Sequence, residues 1–233
     1  MIRKANAACI LATIFALSST WAEDVTPEQA RLEAEPELAD ETPVMVSLIA
    51  PVQAPYRSYD VTGFRLSLIY GECQDFVGFD LGVVNNTRGD FAGLAIGGVN
   101  IADDRMCGAQ LGLVNWNGND GTAPKRRSVG VQLGALNYAD SFRGLQDGYL
   151  NVSTGSLLGM QYGFVNCANE IFGAQSGCYF LLGVNVVYGV MDGCQIGIVN
   201  YAHRVGKGCQ IGLLNIIANN GWLPVLPILN GGF

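Results

Sequence analysis

Histidine is almost absent from this chain of 233 residues, which contains only His203. A catalytic base needs a positioned partner, and no acid or nucleophile is patterned around His203. No spacing of His and Cys matches a zinc site, and no Gly-rich loop ends in Gly-Lys-Ser/Thr. The sequence therefore predicts no enzyme activity, no catalytic residue, no metal site and no cofactor.

Positive charge is also scarce, with 13 Lys and Arg against 20 Asp and Glu. The one basic run, Lys125–Arg127, stands alone, whereas nucleic-acid binding requires a basic face. We therefore expect no nucleic-acid partner. Long apolar runs are missing as well, because Ala8–Leu17 is too short to span a bilayer.

The first residues are typical of an exported protein. Residues 1–22 read as a secretory signal, with Arg3 and Lys4, an apolar stretch, and small residues at the −3 and −1 positions of cleavage after Ala22. Residues 23–44 are acidic and contain Pro27, Pro36 and Pro43, which predicts a solvated tether. We expect the chain to be exported to the cell surface or the outer membrane.

Glycine, in contrast, is plentiful, with 31 residues, ten of which begin copies of a repeated motif, Gly-apolar-Gln-x-Gly-x-apolar-Asn. Two copies are Gly193–Asn200 and Gly208–Asn215. The Asn residues recur at intervals of 15, 15, 22, 14, 15, 34, 15 and 15 residues. The two long intervals indicate insertions near 118–127 and 178–190. Because so short a unit cannot bury a core alone, we predict one repeat domain over 45–233.

Each copy alternates apolar residues around Gln, which predicts a half-buried β-strand. The residue before Asn is apolar again, so the strand must bend there, and Asn suits a corner because it tolerates left-handed backbone. The favoured architecture is all-β, a solenoid of about 15-residue coils. Stacked coils would align like side chains in ladders, formed by Gln110, Gln132, Gln146, Gln161, Gln195, Gln210, Asn85, Asn100, Asn115, Asn137, Asn151, Asn166, Asn200 and Asn215.

An antiparallel outer-membrane β-barrel, with one strand and turn per copy, is the alternative. The signal peptide and the C-terminal Phe233 fit such a barrel. Asp147 opposes it, since a lipid-facing charge near mid-bilayer costs a few kcal/mol. The barrel would make the protein a pore or transporter.

Six cysteines remain once Cys9 is removed with the signal. Cys194 and Cys209 occupy the same repeat position, so stacked coils would place their Cα atoms about 4.8 Å apart, within disulfide range. Either a disulfide links them or both pack as small apolar residues, as Ala109 and Ala174 do at that position.

The repeat resembles the bacterial surface-repeat family first described from leptospiral proteins. Members carry tandem Gly-x-Gln-x-Gly-x-x-Asn units behind a signal peptide. Val61–Gly71 is similar to the family's first segment, and Leu223–Asn230 is similar to its Pro-rich last segment. The two insertions depart from a uniform array. The resemblance implies surface location and no catalytic residues.

These observations together predict a non-enzymatic protein that acts as a structural or interaction scaffold. Its partner, at the surface or in the envelope, is unknown, and the prediction allows the protein to associate with a membrane.

Overall fold

The computed structural model describes residues 40–118, 126–177 and 182–232, which form strands and no helix. Those residues accordingly include no helix long and apolar enough to cross a membrane. Eleven strands form one sheet. Their bounds are β1 Glu41–Ile49, β2 Val52–Ala54, β3 Asp60–Cys73, β4 Phe76–Thr87, β5 Phe91–Ala102, β6 Met106–Asn117, β7 Ser128–Ala139, β8 Phe142–Gly177, β9 Val184–Ile196, β10 Val199–Asn219 and β11 Val225–Gly232.

Successive coils stack in parallel and in register. Gly78 of β4 pairs with Gly93 of β5, and Asn85 pairs with Asn100. The same parallel pairing joins β1 to β3 and each strand from β3 to β9 to its successor. The predicted β-solenoid is confirmed, and the antiparallel barrel is wrong, because a barrel of that kind alternates strand direction.

Two predicted boundaries concern residues at the start of the chain. The signal peptide over 1–22 and residues 23–39 of the tether lie outside the described residues. Strand β1 begins at Glu41, four residues before the predicted start of the repeat domain. Most of the insertion at 118–127 and the first residues of that at 178–190 also lie outside the described ranges.

The inward and outward sides of each coil are the reverse of what apolar alternation suggests. In β6 the buried residues are Met106, Gln110, Asn115 and Asn117, while Leu113 is exposed. The strand is half-buried as predicted, but Gln points inward and its apolar neighbours point outward. The interior consists of columns in which one residue from each coil stacks on the next.

One interior column is apolar except at the buried Ser128, which lies between Met106 and Phe142, and it carries much of the core. The rings of Phe76 and Phe91 stack with centroids 5.4 Å apart, and Met106 follows in the next coil. Further along the same column lie Phe142, Leu157, Ile171, Met191 and Val205, all buried. This column removes apolar area from water, which is the main favourable term in folding.

The first Gly of each repeat forms a bend that no other residue fits easily. Gly108 has φ +137°, and a Cβ there would lie 2.0 Å from the carbonyl oxygen of Gly93. Asn does not supply the left-handed corner predicted for it. Positive φ outside glycine occurs, within the described residues, only at Asn220 and Ile228, while the repeat Asn residues stay extended and buried.

Both ends of the stack finish in an antiparallel strand. β2 pairs with β1, and β11 pairs with β10. Pro51 and Pro55 flank the three-residue β2, and Pro227 lies within β11. Proline cannot donate to a further strand, so these ends are poor templates for sheet growth.

Candidate functional site

The third residue of the repeat builds a ladder of glutamine amides through the interior. Gln132 donates from Nε2 to Oε1 of Gln110 at 2.9 Å and to the carbonyl of Tyr138 at 3.3 Å. The later bonds measure 2.7–2.8 Å and join Gln146 to Gln132, Gln161 to Gln146, Gln175 to Gln161, Gln195 to Gln175 and Gln210 to Gln195. All six predicted Gln residues lie in this ladder, with Gln175 as a seventh member.

The eighth residue builds a second ladder, of asparagine amides. Each Asn from Asn85 to Asn200 donates from Nδ2 to Oδ1 of the following Asn at 2.8–2.9 Å. Each Gln instead donates to the preceding one, so the amide dipoles of the two ladders run in opposite directions. The predicted Asn85, Asn100, Asn115, Asn137, Asn151, Asn166, Asn200 and Asn215 are all members.

Sequence reasoning missed Asn185, which connects Asn166 to Asn200. The insertion after Gly177 hides the motif, because its first half and its Asn are separated by extra residues. The sequence does contain one signal that could have identified Asn185, because it precedes Asn200 by one full period.

The second Gly of each repeat makes room for the asparagine ladder. A Cβ on Gly97 would lie 2.7 Å from Nδ2 of Asn85 and 3.0 Å from Oδ1 of Asn100. Any larger residue would therefore displace the amides. This explains physically why Gly and Asn occur together in the motif.

The glutamine column begins with a buried ion pair instead of amides. Arg65 donates from Nε to Oδ1 of Asp80 at 2.9 Å and from Nη1 to the carbonyl of Asn86 at 2.7 Å. The ring of Phe76 lies 5.1 Å from the guanidinium carbon. Burial alone would lower the pKa of Arg65, but the hydrogen bond and charge of Asp80 outweigh it and raise that pKa. Ala95 separates this pair from Gln110.

One outer side of the coils is almost without charge. We define the apolar side as the second, fourth and sixth residues of each repeat, counting its first Gly as one, except the sixth residue of the Gly173 repeat, which lies outside the described residues. The first glycines are Gly63, Gly78, Gly93, Gly108, Gly130, Gly144, Gly159, Gly173, Gly193 and Gly208. Asp147 is its only charged residue. Leu113, Tyr149 and Leu213 on this side are 69%, 65% and 73% exposed.

The turns after Asn form a polar region elsewhere on the coil. The carboxylates of Asp60 and Asp75 each accept a bond from the backbone N–H of the next Asp in the row, at 3.0 and 2.8 Å. Arg126 binds both carboxylate oxygens of Asp90. Burial, with the charges of Asp60 and Asp90, raises the pKa of Asp75. Within the described ranges, no three His, Cys, Asp or Glu side chains are grouped to hold a metal ion.

Cys194 and Cys209 are brought together, as stacking requires. They pair in register, their Sγ atoms lie 3.3 Å apart, and both thiols are free. Burial, and then the neighbouring thiol of Cys209, raise the pKa of Cys194 to about 12. The pair lies on the outer surface, not in an interior slot.

His203 lies beside an amide side chain. It lies within β10 at a register shift, not in a separate turn. Its Nε2 is 3.2 Å from Nδ2 of Asn219.

Comparisons with family models, with curated proteins and with solved structures find no match for this chain.

Proposed function

We propose that this chain is a non-enzymatic exported repeat protein that acts as an interaction scaffold at the cell surface or on the outer membrane. The observation that carries this proposal is the contrast between an interior crossed by two hydrogen-bonded amide ladders and an apolar side whose one charged residue is Asp147. A soluble protein that exposes a wide apolar surface ordinarily uses it to bind a partner.

The interior ladders support a scaffold role because they make the coils rigid. Each Gln and Asn amide ties its coil to the next, and buried polar networks that are fully bonded specify one arrangement. The outer residues are therefore held in straight rows. In repeat proteins such extended surfaces are the usual binding sites.

The predicted signal over 1–22 supports export, and the resemblance to the leptospiral-type surface-repeat family supports a location at the cell surface. Both belong to the proposal.

The test is to express the full chain with a C-terminal tag in a bacterial host and to follow its processing. We expect a mature N-terminus at Glu23 and loss of the tag when intact cells are treated with protease. The matched control lacks residues 2–22 and should stay inside the cell. An uncleaved chain that is protected in intact cells would refute the proposal.

A further inference from the structure

The apolar side is left uncovered by the rest of the described chain. We infer that it is an interface between two copies of this chain, packed with their apolar sides face to face. This inference rests on the proposed scaffold function and names its partner.

The size of the apolar side suits such a pair. Its rows run along ten repeats, and coils stack about 4.8 Å apart with about 3.3 Å per residue along each strand. The side is therefore about 43 Å long and about 13 Å wide. Two copies would cover on the order of 1,100 Å² of this plane together, just below the roughly 1,200 Å² at which stable interfaces begin, which fits a weak and reversible pair.

The rows are also complementary to themselves. Like residues recur at the same spacing in every coil, so a second copy presents ridges and grooves of the same period. Sheets pack face to face in this manner at about 10 Å. A two-fold pair uses one patch twice, and a side with nearly uniform apolar chemistry meets that condition.

Charge favours a protein partner over a lipid surface. The apolar side holds no Lys or Arg, which would attract anionic headgroups. Its one charge, Asp147, opposes insertion into hydrocarbon. At a protein interface, a carboxylate can keep water, because such interfaces hold many bridging waters.

The two ends of the solenoid limit how copies can associate. β2 and β11 close the sheet with antiparallel strands that contain or adjoin proline. End-to-end growth of the sheet is therefore disfavoured. Association through the apolar side gives a closed pair.

The test is analytical ultracentrifugation of the full chain over a range of concentrations, without detergent and with a reducing agent. We expect a monomer–dimer equilibrium. Leu111→Asp places a charge in the middle of the interface and should weaken the dimer about tenfold or more. Cys107→Asp is the matched control, since Cys107 is exposed in the same strand but lies outside the apolar side. It should leave the dimer unchanged.

Asp147→Leu completes the fourth-position row and should strengthen the dimer, which keeps the inference testable if Leu111→Asp fails to fold. Circular dichroism checks the fold of each variant. A monomer at every concentration, or equal effects of Leu111→Asp and Cys107→Asp, would overturn the inference. So would a monomer that instead binds vesicles of phosphatidylcholine and phosphatidylglycerol through Leu111. Failure of export in the tagged-chain test, by contrast, would refute the scaffold function itself.

Discussion

The interior column at the third repeat position satisfies its buried polar side chains in two different ways. In its first coils Arg65 and Asp80 form a buried ion pair, and from Gln110 to Gln210 the column is a ladder of neutral amides. Both satisfy polar groups away from water, yet only the ladder can be extended by adding another coil. The comparison teaches that the repeat needs a side chain that both donates and accepts, which is why Gln recurs.

Breaking the ion pair should have the largest effect. Asp80→Ala leaves the buried guanidinium of Arg65 without its counter-charge, and we expect a loss of about 3–5 kcal/mol in the free energy of unfolding. Chemical denaturation of the full chain measures it. Replacing both partners by Gln should cost far less, because amides can bond to each other. If Asp80→Ala and the double variant were equally stable, Asp80 would not be needed to balance the buried charge of Arg65.

Breaking the ladder in its middle comes next. Gln132→Leu leaves Oε1 of Gln110 and Nε2 of Gln146 unpaired, and each orphaned group costs about 1–3 kcal/mol. Gln210→Leu is the control at the ladder's end, where Oε1 already lacks a partner. We expect it to cost about half as much, again by chemical denaturation. Equal losses at both sites would show that the ladder is not continuous.

A third comparison concerns the stability effect of alanine at a glycine in the bend and at a glycine on the apolar side. Gly108→Ala forces a side chain into a backbone with positive φ and against Gly93, at a cost of about 1–3 kcal/mol. Gly98→Ala places the same methyl group on the apolar side, 3.0 Å from the carbonyl oxygen of Val83 and without positive φ, and should change stability by less than about 1 kcal/mol. Thermal melting distinguishes them. A milder effect at Gly108 than at Gly98 would contradict the assigned bend.

The smallest change concerns Cys194 and Cys209. In an oxidising medium we expect a disulfide between them, since the two Sγ atoms are already neighbours and disulfides persist in exported proteins. Peptide mass mapping of the non-reduced protein should find one linked peptide pair, and the reduced sample serves as the control. If both thiols could be alkylated in the oxidised sample, the two cysteines would be unlinked and the prediction would be wrong.

The period, the strands and the ladder positions could be predicted from the sequence, because stacking places like residues together. The side on which each residue lies could not be. Alternation of Phe79 and Leu81 around Asp80 reads as an apolar core face, but the narrow interior of a coil accepts side chains that bond to their own copies. Asn185 was hidden because an insertion separates it from its motif.

The most direct test of the central claim is the chemical accessibility of adjacent positions in one repeat. Leu145→Cys and Gln146→Cys differ by one residue, and the structure places the first outward and the second inward. Maleimide labelling with peptide mapping, at a protein concentration low enough to keep the chain monomeric, should modify the thiol of the first variant in the folded protein, and that of the second only after denaturation. Protection of the first thiol and rapid labelling of the second would contradict the account.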